Sequence, residues 1–310
     1  MAVTSAQYYS AFGLTVRSEL ELPELPQNEH QHSDDVDIVI RWGAIDPPTG
    51  TEEMTVDYSG PDEYYLLYQV ATIRIQNGRE IVVDPRDDPP HEVLRHVVLG
   101  PAFNYLLHQR GHFVLHASTV TVGETAVAFL GDSGQGKTTT AMAFLLEGYP
   151  VLSDDVATIE FGTDGPTVRS GYPAIKLDPA VVDRFDVPVE EPHRTSSSRD
   201  RHFHGLPYEQ PSTPVPLGCV YVLEDADSID IVRPAPEKQL MELVEHTYTR
   251  GLLDDDRTAV SNFRRCTLLT DEVPVKRLRR PRDFDVLPRL VDRVAADVSR
   301  VTERDGDESC

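Results

Sequence analysis

The sequence predicts an α/β fold, a mixed sheet flanked by helices, with a β-rich region in front of it. Three observations predict it. Ala126 to Leu130 is an apolar strand that runs through Gly131-Asp132-Ser133-Gly134-Gln135-Gly136-Lys137-Thr138 into the apolar helix Thr139 to Leu146. Short runs rich in β-branched and aromatic residues fill the chain before residue 90. After it, strand and helix patterns follow one another up to about residue 301. The expected organisation is therefore a β-rich region over 1–90, a core domain over 91–301 and an acidic tail over 302–310.

In the first region the expected strands are Thr15 to Arg17, Val36 to Ile40, Tyr64 to Tyr68, Ala71 to Ile75 and Ile81 to Val83, with a hairpin turn at Asn77-Gly78. Pro23 to Ser33 is aperiodic and reads as a surface loop whose His30 and His32 are solvated rather than metal-bound. His91 to Arg110 follows Pro89-Pro90 and places Val93, Leu94, Val97, Val98, Phe103, Leu106 and Leu107 at helical spacing before Gly111.

His112 to Val120 reads as a strand that turns at Gly123-Glu124 and pairs with Ala126 to Leu130. A tight hairpin there pairs residues whose numbers sum to about 247, which sets His116 opposite Gly131. A strand histidine is commonly structural; this register makes His116 a candidate for chemistry at the mouth of the loop.

The loop fits G-x-x-x-x-G-K-[ST] in full and has the strand before it and the helix after it that the pattern requires. Its glycines let successive N–H groups turn inward onto phosphate oxygens, and the helix that starts near Lys137 adds its positive end. Gly131 to Gly136, with Lys137, Thr138 and Thr139, are thus the candidate nucleotide-binding residues. Lys137 would reach the β- and γ-phosphates and Thr138 would hold Mg²⁺.

Tyr149 to Leu152 is the next strand, ending in Ser153-Asp154-Asp155. A right-handed β-α-β crossover sets it parallel to Ala126 to Leu130, with both C-terminal ends on the ligand side of the sheet. Alternation then points one carboxylate at the γ-phosphate and the other away. Asp155 is the candidate base, and Asp154 the second candidate and a metal ligand beside Thr138.

Val156 to Phe161 and Thr167 to Arg169 form a hairpin around Asp164-Gly165, followed by Ala174 to Leu177 and a short helix over Pro179 to Phe185. Glu190 to Pro216 is polar and carries Arg194, Arg199, Arg201, His202 and His204; it reads either as a phosphate or substrate clamp or as a disordered insertion. Leu217 to Leu223 is a buried strand paired with Ile229 to Val232. Helices over Glu237 to Arg250 and Thr258 to Leu269, a strand over Val273 to Leu278 and a helix over Phe284 to about Val301 complete the expected fold.

The formal net charge of −23 repels anionic ligands at long range. Four lysines (Lys137, Lys176, Lys238 and Lys276) stand beside 25 arginines among the 29 basic residues, and the acidity is spread over the chain. This resembles proteins of salt-loving organisms, in which molar salt cuts the screening length to about 3 Å. The same charge disfavours nucleic-acid binding.

No membrane span is predicted, and Met1 to Gln27 lacks the basic and apolar regions of a signal peptide, so the expected compartment is the cytoplasm. Cys219, Cys266 and Cys310 share no metal-ligand spacing and read as core or tail thiols.

Taken together, His116 in Leu-His-Ala-Ser, the loop Gly131 to Thr138 and the pair Asp154-Asp155 resemble the catalytic domain of HPr kinase/phosphorylase and its kinase-like relatives. The similarity covers roughly residues 90 to 300 and is strongest over 112–160. Ala11 to Leu20 and Gly171-Tyr172-Pro173-Ala174-Ile175-Lys176-Leu177 resemble the less characterised branch, whose members accompany peptide-tailoring systems and in some cases phosphorylate serine. The resemblance implies a P-loop kinase domain similar to phosphoenolpyruvate carboxykinase, with His116, Lys137 and Asp155 in the active site. Thr167 stands where HPr kinase has the glutamate of a Glu-x-Arg-Gly segment, and residues 1–90 do not resemble its N-terminal domain. The resemblance therefore does not carry over phosphorolysis, or HPr itself as substrate.

The leading expectation is an ATP- and Mg²⁺-dependent kinase acting on a hydroxyl of a protein, a peptide or a small molecule, with serine foremost. The alternative is a non-catalytic or slowly hydrolysing nucleotide-binding regulator. A carboxykinase would need further metal ligands and arginines that the sequence does not place. The oligomeric state stays open, a homo-oligomer included.

Overall fold

A computed structural model describes residues 6–28, 35–46, 56–60, 62–187, 202–247 and 256–307. His30, His32, Arg194, Arg199, Arg201 and Cys310 lie outside the described residues. Among the described residues no helix is long and apolar enough to cross a membrane.

The N-terminal region is a seven-stranded sheet of β1 (Gln7–Ala11), β2 (Leu14–Ser18), β3 (Ile38–Trp42), β4 (Val56–Gly60), β5 (Glu63–Leu67), β6 (Ala71–Gln76) and β7 (Glu80–Pro85). Its order is β1-β2-β3-β7-β6-β5-β4. Two tight turns use left-handed backbone, Phe12 and Gly13 at φ 52° and 71° and Asn77 and Gly78 at φ 55° and 59°, the twist that suits a hairpin. The second turn lies at the expected Asn77-Gly78. Strands β1 and β4 were not legible: both are short and contain Ser, Asp or Gly between their apolar residues.

The expected helix over 91–110 is present but interrupted. It runs as α1 (His91–Val97), a π-helical segment at Val98–Ala102 and α2 (Phe103–Gln109). Pro101 lies in that segment and has no N–H to give the regular ladder, so the hydrogen bonding widens there. Leu94, Val98, Phe103 and Leu106 bury themselves in the core of the N-terminal sheet, beside Ile38, Ile73 and Ile81.

The second sheet contains β8 (Phe113–Leu115), β9 (Ala117–Val122), β10 (Thr125–Leu130), β11 (Val151–Ser153), β12 (Ala157–Gly162), β13 (Gly165–Arg169), β16 (Val215–Asp225), β17 (Asp230–Val232) and β18 (Val275–Arg280). β14 (Ala174–Leu177) and β15 (His202–Gly205) form a separate pair. Along the main path the order is β11-β9-β10-β16-β13-β12-β8. β10 is parallel to β16, and β16 to β18, while β9 lies antiparallel between β10 and β11. β11 and β10 therefore run the same way, and their C-terminal ends share one side.

β10 reads as an unbroken apolar run because both of its faces are covered. Val127 and Phe129 point into a core with Met142 and Phe144 of α3 (Lys137–Leu146) and Leu290 and Val294 of α7 (Leu287–Asp307). Ala126, Ala128 and Leu130 point into the opposite core with Leu243 of α5 (Pro236–Glu245) and Cys266 and Leu269 of α6 (Asp256–Glu272). The helix α4 (Pro179–Phe185) adds Val181 to the first of these cores. Cys219 and Cys266 are buried free thiols, and burial pushes them up to about 12 and about 11, out of nucleophilic range.

Three expectations need correction and a fourth is narrowed. The strand over 112–120 breaks at His116, because β8 pairs with β12 whereas β9 pairs with β10 and β11. Asp230–Val232 pairs with β18 and not with β16, whose two sides over Val220–Val222 are taken by β10 and β18. Part of the stretch 190–216 is ordered: β15 pairs with β14, and Gln210 Nε2 donates to the Leu152 carbonyl at 2.7 Å. The last helix runs on to Asp307, into the expected tail.

Candidate active site at the phosphate loop

The hairpin register is as the spacing predicts, with Ala117 opposite Leu130 as the last pair. His116 is the next residue, at the point where the chain leaves one set of partners for the other. Its backbone N–H donates to the His246 carbonyl at 3.0 Å.

The phosphate loop joins β10 to α3. Gly136 caps the helix with φ 86° and ψ 28°, a conformation open to glycine and costly to L side chains. A Cβ there would also lie 2.5 Å from Arg280 Nη2. Lys137 is buried, and its Nζ donates to the carbonyls of Gly131 at 2.7 Å and Asp132 at 3.3 Å. The loop's own backbone thus holds the ammonium at the mouth of the helix.

Asp154 is the buried carboxylate of the site. It accepts from Ser118 Oγ at 2.6 Å, from Thr138 Oγ1 at 2.9 Å and from the Lys176 N–H at 3.0 Å. Burial, and then the charge of Asp155, push its pKa up, while these donors oppose the shift. Thr119 Oγ1 and Ser153 Oγ, 2.6 Å apart, lock β9 to β11 beside it. The seat of Asp154 therefore comes from three elements: β9 with Ser118, the start of α3 with Thr138 and β14 with Lys176.

Asp155 has left β11 and sits at φ 70°, so strand alternation no longer governs it. Both carboxylates face the loop side, where the alternation argument had turned one away. The Asp155 side chain is 36% exposed and lies 3.4 Å from Lys176 Nζ and 3.9 Å from His116 Nδ1. Its backbone carbonyl is 3.1 Å from His116 Nδ1.

A carbonyl can only accept, so Nδ1 carries the proton. Burial pushes the His116 pKa down against the pull of Asp155. The neutral ring therefore presents its lone pair at Nε2.

Lys176 was not among the expected site residues. Burial alone would lower its pKa, but the Tyr172 oxygen and the Asp155 carboxylate outweigh it and the net shift is upward. The ammonium also lies 5.7 Å from the centre of the Tyr172 ring. Its signal in the sequence was scarcity: of four lysines, Lys137 and Lys176 line one cleft.

That cleft, about 250 Å³, is lined by Ser133, Gly134, Gly136, Lys137, Thr138, Thr139, His116, Asp155, Lys176 and also by His96 and Asp178. His96 comes from α1, so the element packed into the N-terminal sheet reaches the loop. Gly131, Asp132 and Gln135 belong to the loop but do not line this cleft.

Among the described residues no cluster of three His, Cys, Asp or Glu could hold a metal. The Thr138 hydroxyl and the Asp154 carboxylate, already 2.9 Å apart, are an all-oxygen pair of the kind Mg²⁺ takes when phosphates and waters complete its shell. The residues fit that ion.

No family model and no curated protein matches the sequence. Among solved structures, the HPr(Ser) kinase/phosphatase from Coxiella burnetii is similar at 12% sequence identity and a TM-score of 0.31, over 61% of this chain and 98% of that one.

Proposed function

We propose that the chain is a kinase that transfers the γ-phosphoryl group of ATP to a hydroxyl, foremost serine of a protein or peptide. The observation that supports it is the cleft itself: the phosphate-loop residues Lys137 and Thr138 share its walls with a half-exposed carboxylate, an imidazole and a second ammonium. Phosphoryl transfer asks for positioned phosphates, neutralised charge and a base beside the acceptor hydroxyl. Serine rests on the resemblance of the motifs; the cleft supports a hydroxyl acceptor.

In the transfer, the acceptor oxygen bonds to the γ-phosphorus while the bond to the bridging oxygen of ADP breaks. The hydroxyl proton passes to Asp155. His116 positions that residue through its backbone carbonyl. Lys137 and Lys176 balance the charge of the phosphoryl oxygens. Mg²⁺ held by Thr138 and Asp154 would neutralise the β- and γ-phosphates.

One observation favours the second reading, a nucleotide-binding regulator. The ion pair of Asp155 with Lys176 occupies the carboxylate that would have to take the acceptor's proton. Incubating the protein with γ-labelled ATP and a salt-matched lysate of its own organism separates the readings. A labelled protein band supports a protein acceptor and a labelled soluble compound a metabolite. ATP consumption that ignores added acceptor sinks the kinase.

A further inference from the structure

A second cavity, of about 180 Å³, opens on the other flank of the phosphate loop. It shares Gly134, Gly136 and Thr139 with the active-site cleft, adds Gln135 of the loop, and is otherwise walled by residues between the end of β18 and the start of α7: Arg280, Arg282, Asp283, Phe284 and Leu287. The two cavities differ in character. Acids and bases line the first, whereas the second sets Arg280, Arg282 and Asp283 beside the apolar side chains of Phe284 and Leu287.

Arg280 is the informative residue. The basic side chains around it on β18 are paired: Lys276 with Asp297, Arg277 with Glu224 and Glu242, Arg279 with Glu224, and just beyond the strand Arg282 with Asp225. Arg280 is 5% exposed, yet among the described residues no carboxylate makes an ion pair with it. Its guanidinium donates to the Gln135 and Pro281 carbonyls, and its buried Nε has no acceptor. Asp225, whose charge acts on it, is taken up by Arg282, and a buried cation with no carboxylate in contact is expensive unless an anion completes it. This one rests against Gly136, which lines both cavities.

We infer that this cavity takes the nucleoside half of the bound nucleotide, with Arg280 on the phosphate next to the ribose and the base stacked on Phe284. The inference rests on the nucleotide use proposed above. A triphosphate whose terminal phosphoryl lies by Lys137 and Asp155 has its other end at Gly136 and Thr139, and the cavity begins there. An aromatic face accepts any base, and stacking of this kind is worth about 1–3 kcal/mol per base, or roughly 5- to 150-fold in affinity.

Calorimetric titration with Mg·ATP and with Mg·inorganic triphosphate tests it. The parent should bind Mg·ATP at least about 10-fold more tightly. Phe284→Leu keeps an apolar contact for Phe185, whose ring centre is 5.7 Å away, and should lose about 10-fold for ATP with triphosphate unchanged. Phe284→Trp should show an indole emission that ATP quenches and triphosphate does not, read against the single native Trp42. Equal losses for both ligands in Phe284→Leu, or an unquenched indole at saturating ATP, overturn the assignment while leaving the kinase standing. A parent that binds neither ligand sinks the phosphate-loop reading and the nucleoside site together.

Discussion

At Asp154 and Asp155 two adjacent carboxylates have been given different environments. Asp154 is buried under three donors, whereas Asp155 stands at the cleft wall beside Lys176 and His116. A positioned base contributes about 10²–10⁴-fold in rate. Asp155→Asn should therefore bind Mg·ATP about as well as the parent and transfer phosphate at least about 10²-fold more slowly. Asp154→Asn should instead weaken Mg²⁺-dependent ATP binding, because it replaces the carboxylate that Thr138 touches. If Asp155→Asn keeps its single-turnover rate while Asp154→Asn loses it, the roles are exchanged. Lys137→Ala and Thr138→Ala each remove a contact to the phosphates, and both should lose productive Mg·ATP binding by calorimetry. Lys137, Thr138, Asp154 and Asp155 were legible because a loop pattern and a strand end mark them. Lys176 and Arg280 were not: each reaches the loop from a strand distant in sequence, and only the pairing of sheets brings them there.

The elements were legible where both faces of a strand are buried or where a helix stripe is regular, as in β10, β16 and α4. They were least legible where one apolar run is divided between two strands with different partners. The break at His116 follows from the exchange of β12 for β10 and β11 as partners, which no local pattern in Leu-His-Ala-Ser announces. The junction of loop and α3 offers an element-scale test. Gly136 and Gly148 both stand at φ 86°, but a Cβ at Gly148 meets open space, while one at Gly136 meets Arg280. Alanine at either position carries the left-handed cost of about 1–2 kcal/mol; Gly136→Ala must also displace a buried guanidinium. Denaturant unfolding should show a larger loss for Gly136→Ala than for Gly148→Ala. Equal losses would mean that Arg280 is not seated on the loop as described.

For the whole molecule the governing quantity is charge, and it acts through salt and through pH. With a formal charge of −23, self-repulsion should weaken folding in dilute buffer and fade when molar salt brings the screening length to about 3 Å. The melting temperature should therefore rise from low to molar KCl; one that stays flat removes the salt-loving reading. Acid acts through a separate set of groups. His108, His112, His116 and His246 all have pKa values pushed below the histidine value of 6.5, chiefly by burial, with His108 down to about 4. Below about pH 6.5 the unfolded chain takes up protons at these positions that the folded chain refuses. Stability then falls as pH falls, beginning near the unfolded value and continuing for His108 towards about 4. Between pH 7 and 5 the carboxylates with an ordinary value near 3.8 are still charged, so relief of their repulsion does not yet mask the slope. In molar KCl the melting temperature should drop steadily over that window, and His108→Gln, which cannot titrate, should make the drop shallower. A parent whose melting temperature holds or rises from pH 7 to 5 would show that these imidazoles take up protons in the folded protein as readily as in water, and the neutral His116 required beside Asp155 would go with them.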